Sequence, residues 1–161
     1  MHVEPIKLAA VDVNGYEYGS ELVRINEHLK GKKYRYSYGF TGFAGNDDEK
    51  GGFNIWAIVK LDHCAALNMQ SVTCKIWKSP NCYPSETIFV PAQKPMSCTD
   101  PLNVDFEDDG ILISQVYDTN KRETFLLILD AKNMTELARC YTGKRCPISF
   151  HGCFIPNNSE M

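Results

Sequence analysis

Short apolar segments separated by turn-forming residues run along the whole chain. Tyr34, Tyr36 and Tyr38 alternate with polar residues, which is the period of a half-buried β-strand. Asn14-Gly15 follows an apolar run and is typical of a hairpin turn. The pattern predicts eight to ten strands, and the candidates are Ile6–Val13, Tyr16–Ile25, Tyr34–Tyr38, Phe53–Leu61, Val72–Trp77, Thr87–Val90, Ile111–Tyr117, Thr124–Asp130, Glu136–Tyr141 and Ile148–Phe154.

No segment has the length and periodicity of a stable helix. Asn133 with Glu136 is compatible with a helix start, but the segment ends too soon, so Glu136–Tyr141 is interpreted as a strand. Pro80, Asn81 and Pro84 are expected to break the chain before the Thr87–Val90 strand. Strands in hairpin order without helices indicate an all-β fold: a sandwich, a barrel or a propeller.

Composition narrows the class of protein. The 161 residues suggest one domain, 1–161, and 43% hydrophobic with 23% charged residues is ordinary for a folded chain. A net charge of −3 argues against a nucleic-acid partner. Residues 1–10 lack a signal-peptide pattern, and the seven irregularly spaced cysteines form a poor disulfide framework. These features predict a cytoplasmic location.

Few residues offer candidate chemistry. Cys146, His151 and Cys153 lie close in sequence, but further metal ligands have no obvious source, so small packed cysteines are favoured. Cys153 could also be a nucleophile with His151 as its base. This alternative is disfavoured because no third group is available to orient the histidine. His151 is either a packed histidine or a ligand. Glu86 and Glu21 are either ordinary strand residues or carboxylates that orient a metal-bound imidazole.

Several segments in order carry a family resemblance. They are Glu21-Leu-Val-Arg-Ile-Asn26, Tyr34-Arg-Tyr-Ser-Tyr-Gly39, Tyr83-Pro-Ser-Glu86-Thr-Ile-Phe-Val90, Glu107-Asp-Asp-Gly110, Phe125-Leu-Leu-Ile-Leu-Asp130 and Phe150-His-Gly-Cys-Phe154. Together they strongly resemble the C-terminal part of the carotenoid cleavage oxygenases, from about residue 16 to residue 156. These segments are most similar to those of the animal branch of the family, which includes the β-carotene oxygenases and the retinoid isomerohydrolase.

The resemblance implies a seven-bladed β-propeller with a non-haem Fe(II) held by four histidines, three of them bonded to glutamates. By position, His151 matches the last iron ligand, and Glu86 and Glu21 match two of the supporting glutamates. The family reaction is oxidative cleavage of a polyene double bond by O2 to give aldehydes or ketones, whereas one branch isomerises and hydrolyses retinyl esters. The implied partners are a carotenoid or retinoid substrate and O2. Peripheral contact with a membrane is a further expectation.

The chain also departs from the family. It has four histidines, at positions 2, 28, 63 and 151. His2 lies outside the matching part, and His28 and His63 fall in predicted loops or turns where the family has no ligand, so three of the four iron ligands are absent. We therefore expect the C-terminal blades of an incomplete propeller: a fragment of a carotenoid or apocarotenoid dioxygenase that is inactive alone. The alternatives are an inactive propeller remnant or binding module, a fragment of a retinoid isomerohydrolase, and an unrelated β-sandwich. Unpaired strand edges would favour self-association of the fragment.

Overall fold

The computed structural model describes residues 9–11, 17–18, 20–43, 55–63, 71–92 and 107–155. Ten strands lie in these ranges: β1 Ala9–Val11, β2 Glu17–Tyr18, β3 Glu21–Arg24, β4 Tyr36–Phe43, β5 Ile55–Asp62, β6 Ser71–Trp77, β7 Cys82–Pro91, β8 Gly110–Asp118, β9 Glu123–Asp130 and β10 Glu136–Tyr141. A single 3-10 turn, Glu27–Leu29, is the only helical element of these ranges. They contain no helix long and apolar enough to cross a membrane.

The strands form two sheets. The first, sheet A, has six strands in the order β2-β1-β6-β5-β4-β3, and β1 runs parallel to β6 while the other pairs are antiparallel. The second, sheet B, is an antiparallel meander in the order β10-β9-β8-β7. The all-β expectation is confirmed, and two sheets built largely from sequential hairpins agree with partial propeller blades.

A shared core joins the sheets. β8 alternates buried and half-buried residues, as a strand with one face on a core must, and Leu112 and Val116 are fully buried. They pack with Phe125, Leu127 and Leu129 of β9. Sheet A contributes Tyr38, whose ring stacks on Phe89 of β7 at 5.4 Å between centroids, as well as Ile58 and Trp77.

Several strand predictions are corrected. Ile148–Phe154 is not a strand, because these residues cross sheet B instead of pairing with it. The predicted strand Thr87–Val90 is too short, because β7 extends from Cys82 to Pro91 and includes Pro84. Proline cannot donate to the ladder, and the register shift that follows Pro84 accommodates it. Tyr34 lies before β4 and is exposed, whereas Tyr38 is buried.

Some of the residues discussed in the sequence analysis lie outside the ranges that the structure describes. His2, Cys64 and Cys98 fall outside them, as does most of the irregular stretch after Ala92. Within the predicted strand Tyr16–Ile25, the structure has two separate strands, β2 and β3.

Candidate metal-binding site

Two β-bulges direct side chains to one place, where β3 of sheet A lies against β7 of sheet B. In β7, Pro84 pairs with Val116 and Thr87 with Ser114, so Ser85 and Glu86 together oppose Gln115. In β3, Glu21 pairs with Phe40 and Arg24 with Tyr38, so Leu22 and Val23 together oppose Gly39. A bulge bends its strand and redirects side chains, and bulges are frequent beside functional sites. Glu86 lies in the β7 bulge, Arg24 directly follows the β3 bulge, and their side chains are in contact.

Residues 142–155, which we call the crossing segment, bring His151 to the same place. They run over the face of sheet B that points away from the core. Cys146 N donates to Thr124 Oγ1 of β9 at 2.9 Å, Gln115 Nε2 of β8 donates to Pro147 O at 2.6 Å, and Gly152 N donates to Glu86 of β7 at 2.8 Å. Polar contacts with three successive strands thus hold residues 146–152 on the sheet, and the strand predicted for Ile148–Phe154 does not form.

Glu86 is the centre of the resulting cluster. Its side chain is 5% exposed, and its Oε1 accepts from Arg24 Nε at 2.9 Å and lies 3.2 Å from His151 Nδ1. Its Oε2 accepts from Gly152 N. Burial acts to raise the pKa of Glu86, but the hydrogen bonds from Arg24, Gly152 and His151 together lower it below the usual value. The buried carboxylate is thus held ionised at neutral pH.

The ionised carboxylate has a direct effect on the imidazole. A carboxylate only accepts hydrogen bonds, so Nδ1 of His151 must carry the proton in this contact. In the neutral imidazole, Nε2 is then the unprotonated nitrogen, and an unprotonated ring nitrogen is what binds a metal. The His151 side chain is 72% exposed, so this nitrogen is not shielded by the core.

An apolar cavity of about 410 Å³ lies beside the imidazole. Ile88, Ile113 and Leu126 from three strands of sheet B line one side of it, and Cys153 and Phe154 of the crossing segment line the other. Such a cavity suits an apolar ligand whose position is fixed by a few polar groups.

The other candidate residues lie elsewhere. Glu21 is exposed on β3, and in the described part of the chain its side chain has no hydrogen bond to His151 or Glu86, so its supporting role stays a prediction. His63 follows β5 and its Nε2 lies 2.8 Å from Ser37 Oγ, while His28 is in the exposed 3-10 turn. The described ranges hold no group of three or more histidine, cysteine, aspartate or glutamate side chains placed to bind a metal.

Sequence reasoning assigned nothing to Arg24 or to the Gly152 amide, although both bind Glu86 directly. Arg24 lies within a family-like segment, but its spacing from residue 86 gave no signal. The contact depends on two bulges and on the packing of β3 against β7.

Comparison with known proteins identifies the family. The profile of the family described as "Retinal pigment epithelial membrane protein" matches residues 5–156. The chain belongs to the carotenoid oxygenase family. Members of this family are iron-dependent. The predicted resemblance of this chain to the animal branch of the family is confirmed.

Curated relatives at 33–36% identity are animal carotenoid oxygenases. The mitochondrial carotenoid-cleaving dioxygenase of Pongo abelii is 35% identical over 133 residues, which is 81% of this chain and 20% of that protein. The β,β-carotene 15,15'-dioxygenase of Gallus gallus is 33% identical, over 87% of this chain and 23% of that protein. The chain therefore spans about a fifth of the length of these relatives.

A solved structure extends the agreement to the fold. Cobalt-substituted apocarotenoid oxygenase from Synechocystis aligns with a TM-score of 0.61 at 25% identity, over 86% of this chain and 26% of that protein. The expectation of partial propeller blades of a carotenoid oxygenase is confirmed by this likeness.

Proposed function

We propose that this chain supplies one ligand of the iron(II) centre of a carotenoid or apocarotenoid dioxygenase, and that this ligand is His151. The observation that carries the proposal is the contact of Nδ1 with the buried Glu86 carboxylate, which leaves Nε2 for the metal. A carboxylate behind a histidine is the usual partner that fixes the orientation of a metal-bound imidazole and raises its basicity.

The residues present fit such a centre in part. One imidazole with its carboxylate suits Fe(II), which binds neutral histidine nitrogens. The iron, when bound, would supply the activation of O2 for cleavage of a polyene double bond to aldehydes. Within this chain, Glu86 holds the proton on Nδ1, while Ile88, Ile113 and Leu126 would provide an apolar wall along one side of a polyene.

The isolated chain is predicted not to hold iron tightly and not to cleave β-carotene, because one imidazole supplies one metal bond. The test measures iron by elemental analysis and aldehyde products by chromatography. The samples are the 161-residue chain and a longer protein in which it is joined to the remaining propeller of a relative. Stoichiometric iron with turnover in the short chain would contradict the single-ligand assignment.

In the longer protein, His151→Ala is expected to remove iron and cleavage, and Glu86→Gln to weaken metal affinity or activity by roughly 10–100-fold. The matched control is His63→Ala, because His63 contacts Ser37 rather than Glu86 and is expected to leave the iron content unchanged. Full iron content and activity in His151→Ala would overturn the ligand assignment.

A further inference from the structure

Arg24 contacts both Glu86 and the crossing segment at the His151 site. Its Nε donates to Glu86 Oε1 at 2.9 Å, and its terminal nitrogen Nη2 lies 2.9 Å from the same oxygen. The same Nη2 donates to the carbonyl oxygen of Gly152 at 3.3 Å. One planar guanidinium thus joins β3 of sheet A, β7 of sheet B and the crossing segment.

The geometry at Glu86 Oε1 makes this contact consequential. That oxygen serves both Arg24 Nε and His151 Nδ1, so the position of the arginine determines where the imidazole can bind. The terminal torsion of a glutamate side chain is broad and only weakly restricted by itself. Gly152 N restrains Oε2, and Arg24 supplies the second restraint, on Oε1.

Arginine suits this place better than lysine. Its donors lie in a rigid plane and can bind a carboxylate and a second acceptor at once, whereas an ammonium is a compact charge. The Arg24 side chain is 33% exposed and the Glu86 side chain 5%, so the pair is partly shielded from water. The hydrogen bond to Glu86 raises the pKa of Arg24, which stays charged throughout the ordinary range.

We propose that Arg24 is a positioning residue of the metal site, which fixes the Glu86 carboxylate and thereby keeps the proton of the His151 imidazole on Nδ1 and Nε2 free. The proposal rests on the proposed ligand role of His151, but it concerns the imidazole before any metal is bound. It assigns no contact between Arg24 and the metal or the substrate.

The test is the tautomer of His151 in the metal-free 161-residue chain, read from the two ring ¹⁵N shifts at about pH 8, above the ordinary imidazole pKa of about 6.5. In the unsubstituted chain, the Nδ1–H form is expected to predominate. Arg24→Gln is expected to shift the population towards Nε2–H, so that the Nε2 signal moves into the protonated region. Unchanged ring shifts in a folded Arg24→Gln chain would overturn the proposal.

A double-substitution cycle separates positioning from general damage. If Arg24 acts through the carboxylate, Arg24→Gln has no further effect on the tautomer when combined with Glu86→Gln. An equal additional shift in that background would refute the proposed route. Arg24→Lys keeps the positive charge but loses the planar set of guanidinium donors, so an intermediate change in the ring shifts is expected. This variant replaces Arg24→Gln in the test if Arg24→Gln does not fold. In that case, Arg24→Lys ring shifts identical to those of the unsubstituted chain would overturn the proposal.

Two controls lie in the same chain. Arg35→Gln breaks the 2.7 Å ion pair between Arg35, which precedes β4, and Asp62 at the end of β5, and is expected to leave the His151 shifts unchanged. The His63 ring, held by Ser37, is an internal reference in every spectrum. Failure of the two proposals is distinguishable: His151→Ala with full iron content removes the ligand role, whereas the tautomer cycle alone decides the positioning role.

Discussion

At the scale of single residues, Glu136 shows how one carboxylate connects the sheets. Its oxygens accept from Arg139 Nε at 2.7 Å and from Trp77 Nε1 of β6 at 3.2 Å. The Arg139 guanidinium also lies over the Trp77 ring, 5.9 Å from its centroid. The hydrogen bonds from Arg139 are the main reason that the pKa of Glu136 is lowered, and the Trp77 bond acts in the same direction.

This lowering predicts a pH-dependent contribution to stability. A carboxyl group with a depressed folded-state pKa stabilises the fold above its unfolded pKa of about 4.3, and the contribution is lost as the pH falls through the lower folded value. Glu136→Gln is therefore expected to lower the urea midpoint at pH 7 and to match the unsubstituted chain near pH 2. The control is Glu27→Gln, whose ion pairs are longer and exposed. An equal deficit at both pH values would contradict the linkage.

At the scale of elements, the β3 bulge depends on a glycine in the neighbouring strand. A Cβ at Gly39 would overlap the Ser20 hydroxyl and lie 2.8 Å from the carbonyl oxygen of Glu21. Leu22, inside the bulge, has a φ of 51°, in the left-handed region. The close approach of β3 to β4 and the direction of Arg24 thus require a residue without a side chain at position 39.

Gly39→Ala is expected to lower the free energy of unfolding by about 1–3 kcal/mol, the usual cost of overpacking. Gly152→Ala is the matched control, because its Cβ would meet only Ile88, at 3.4 Å, which is close to ordinary contact. Chemical denaturation of both variants measures the difference. Equal midpoints would show that β3 shifts without cost.

Sequence patterns predicted the elements well and the site only in part. Alternation along β8 and β9 is clear in the sequence because one face of each strand is buried. Residues Ile148–Phe154 looked equally apolar, but their partner is the face of sheet B rather than a strand edge. Glu86 and His151 were singled out by resemblance, whereas Arg24 joins them through bulges that no periodicity reveals.

At the scale of the whole molecule, the turn that begins at Glu107 connects sheet B to sheet A. Glu107 is buried, and its carboxylate accepts from the backbone amides of Arg35, at 2.7 Å, and Tyr36, at 2.6 Å. The next residue, Asp108, binds Lys60 Nζ at 2.5 Å, and both side chains are buried. Desolvation lowers the pKa of Lys60 despite this partner.

Removal of one member of a buried ion pair leaves the other uncompensated. Lys60→Met is therefore expected to destabilise the chain by about 3–5 kcal/mol, and addition of Asp108→Asn should restore part of the loss. Lys75→Met is the control, because Lys75 lies opposite Lys60 on the neighbouring strand and donates to the same Lys132 carbonyl. Lys75 is exposed, so a change of about 0.5 kcal/mol in the free energy of unfolding is expected. Urea unfolding distinguishes them, and equal losses would refute the buried-pair account.

The crossing segment also determines the order in which the site can form during folding. β7 to β10 are joined by successive antiparallel pairings, whereas the contact of His151 with Glu86 spans 65 residues and that of Arg24 with Gly152 spans 128. Closing such long loops costs chain entropy before any contact compensates it, so local hairpins are expected first and the crossing segment last. The imidazole would then meet its carboxylate only on a finished sheet, and a metal ion encountered earlier would find no oriented nitrogen.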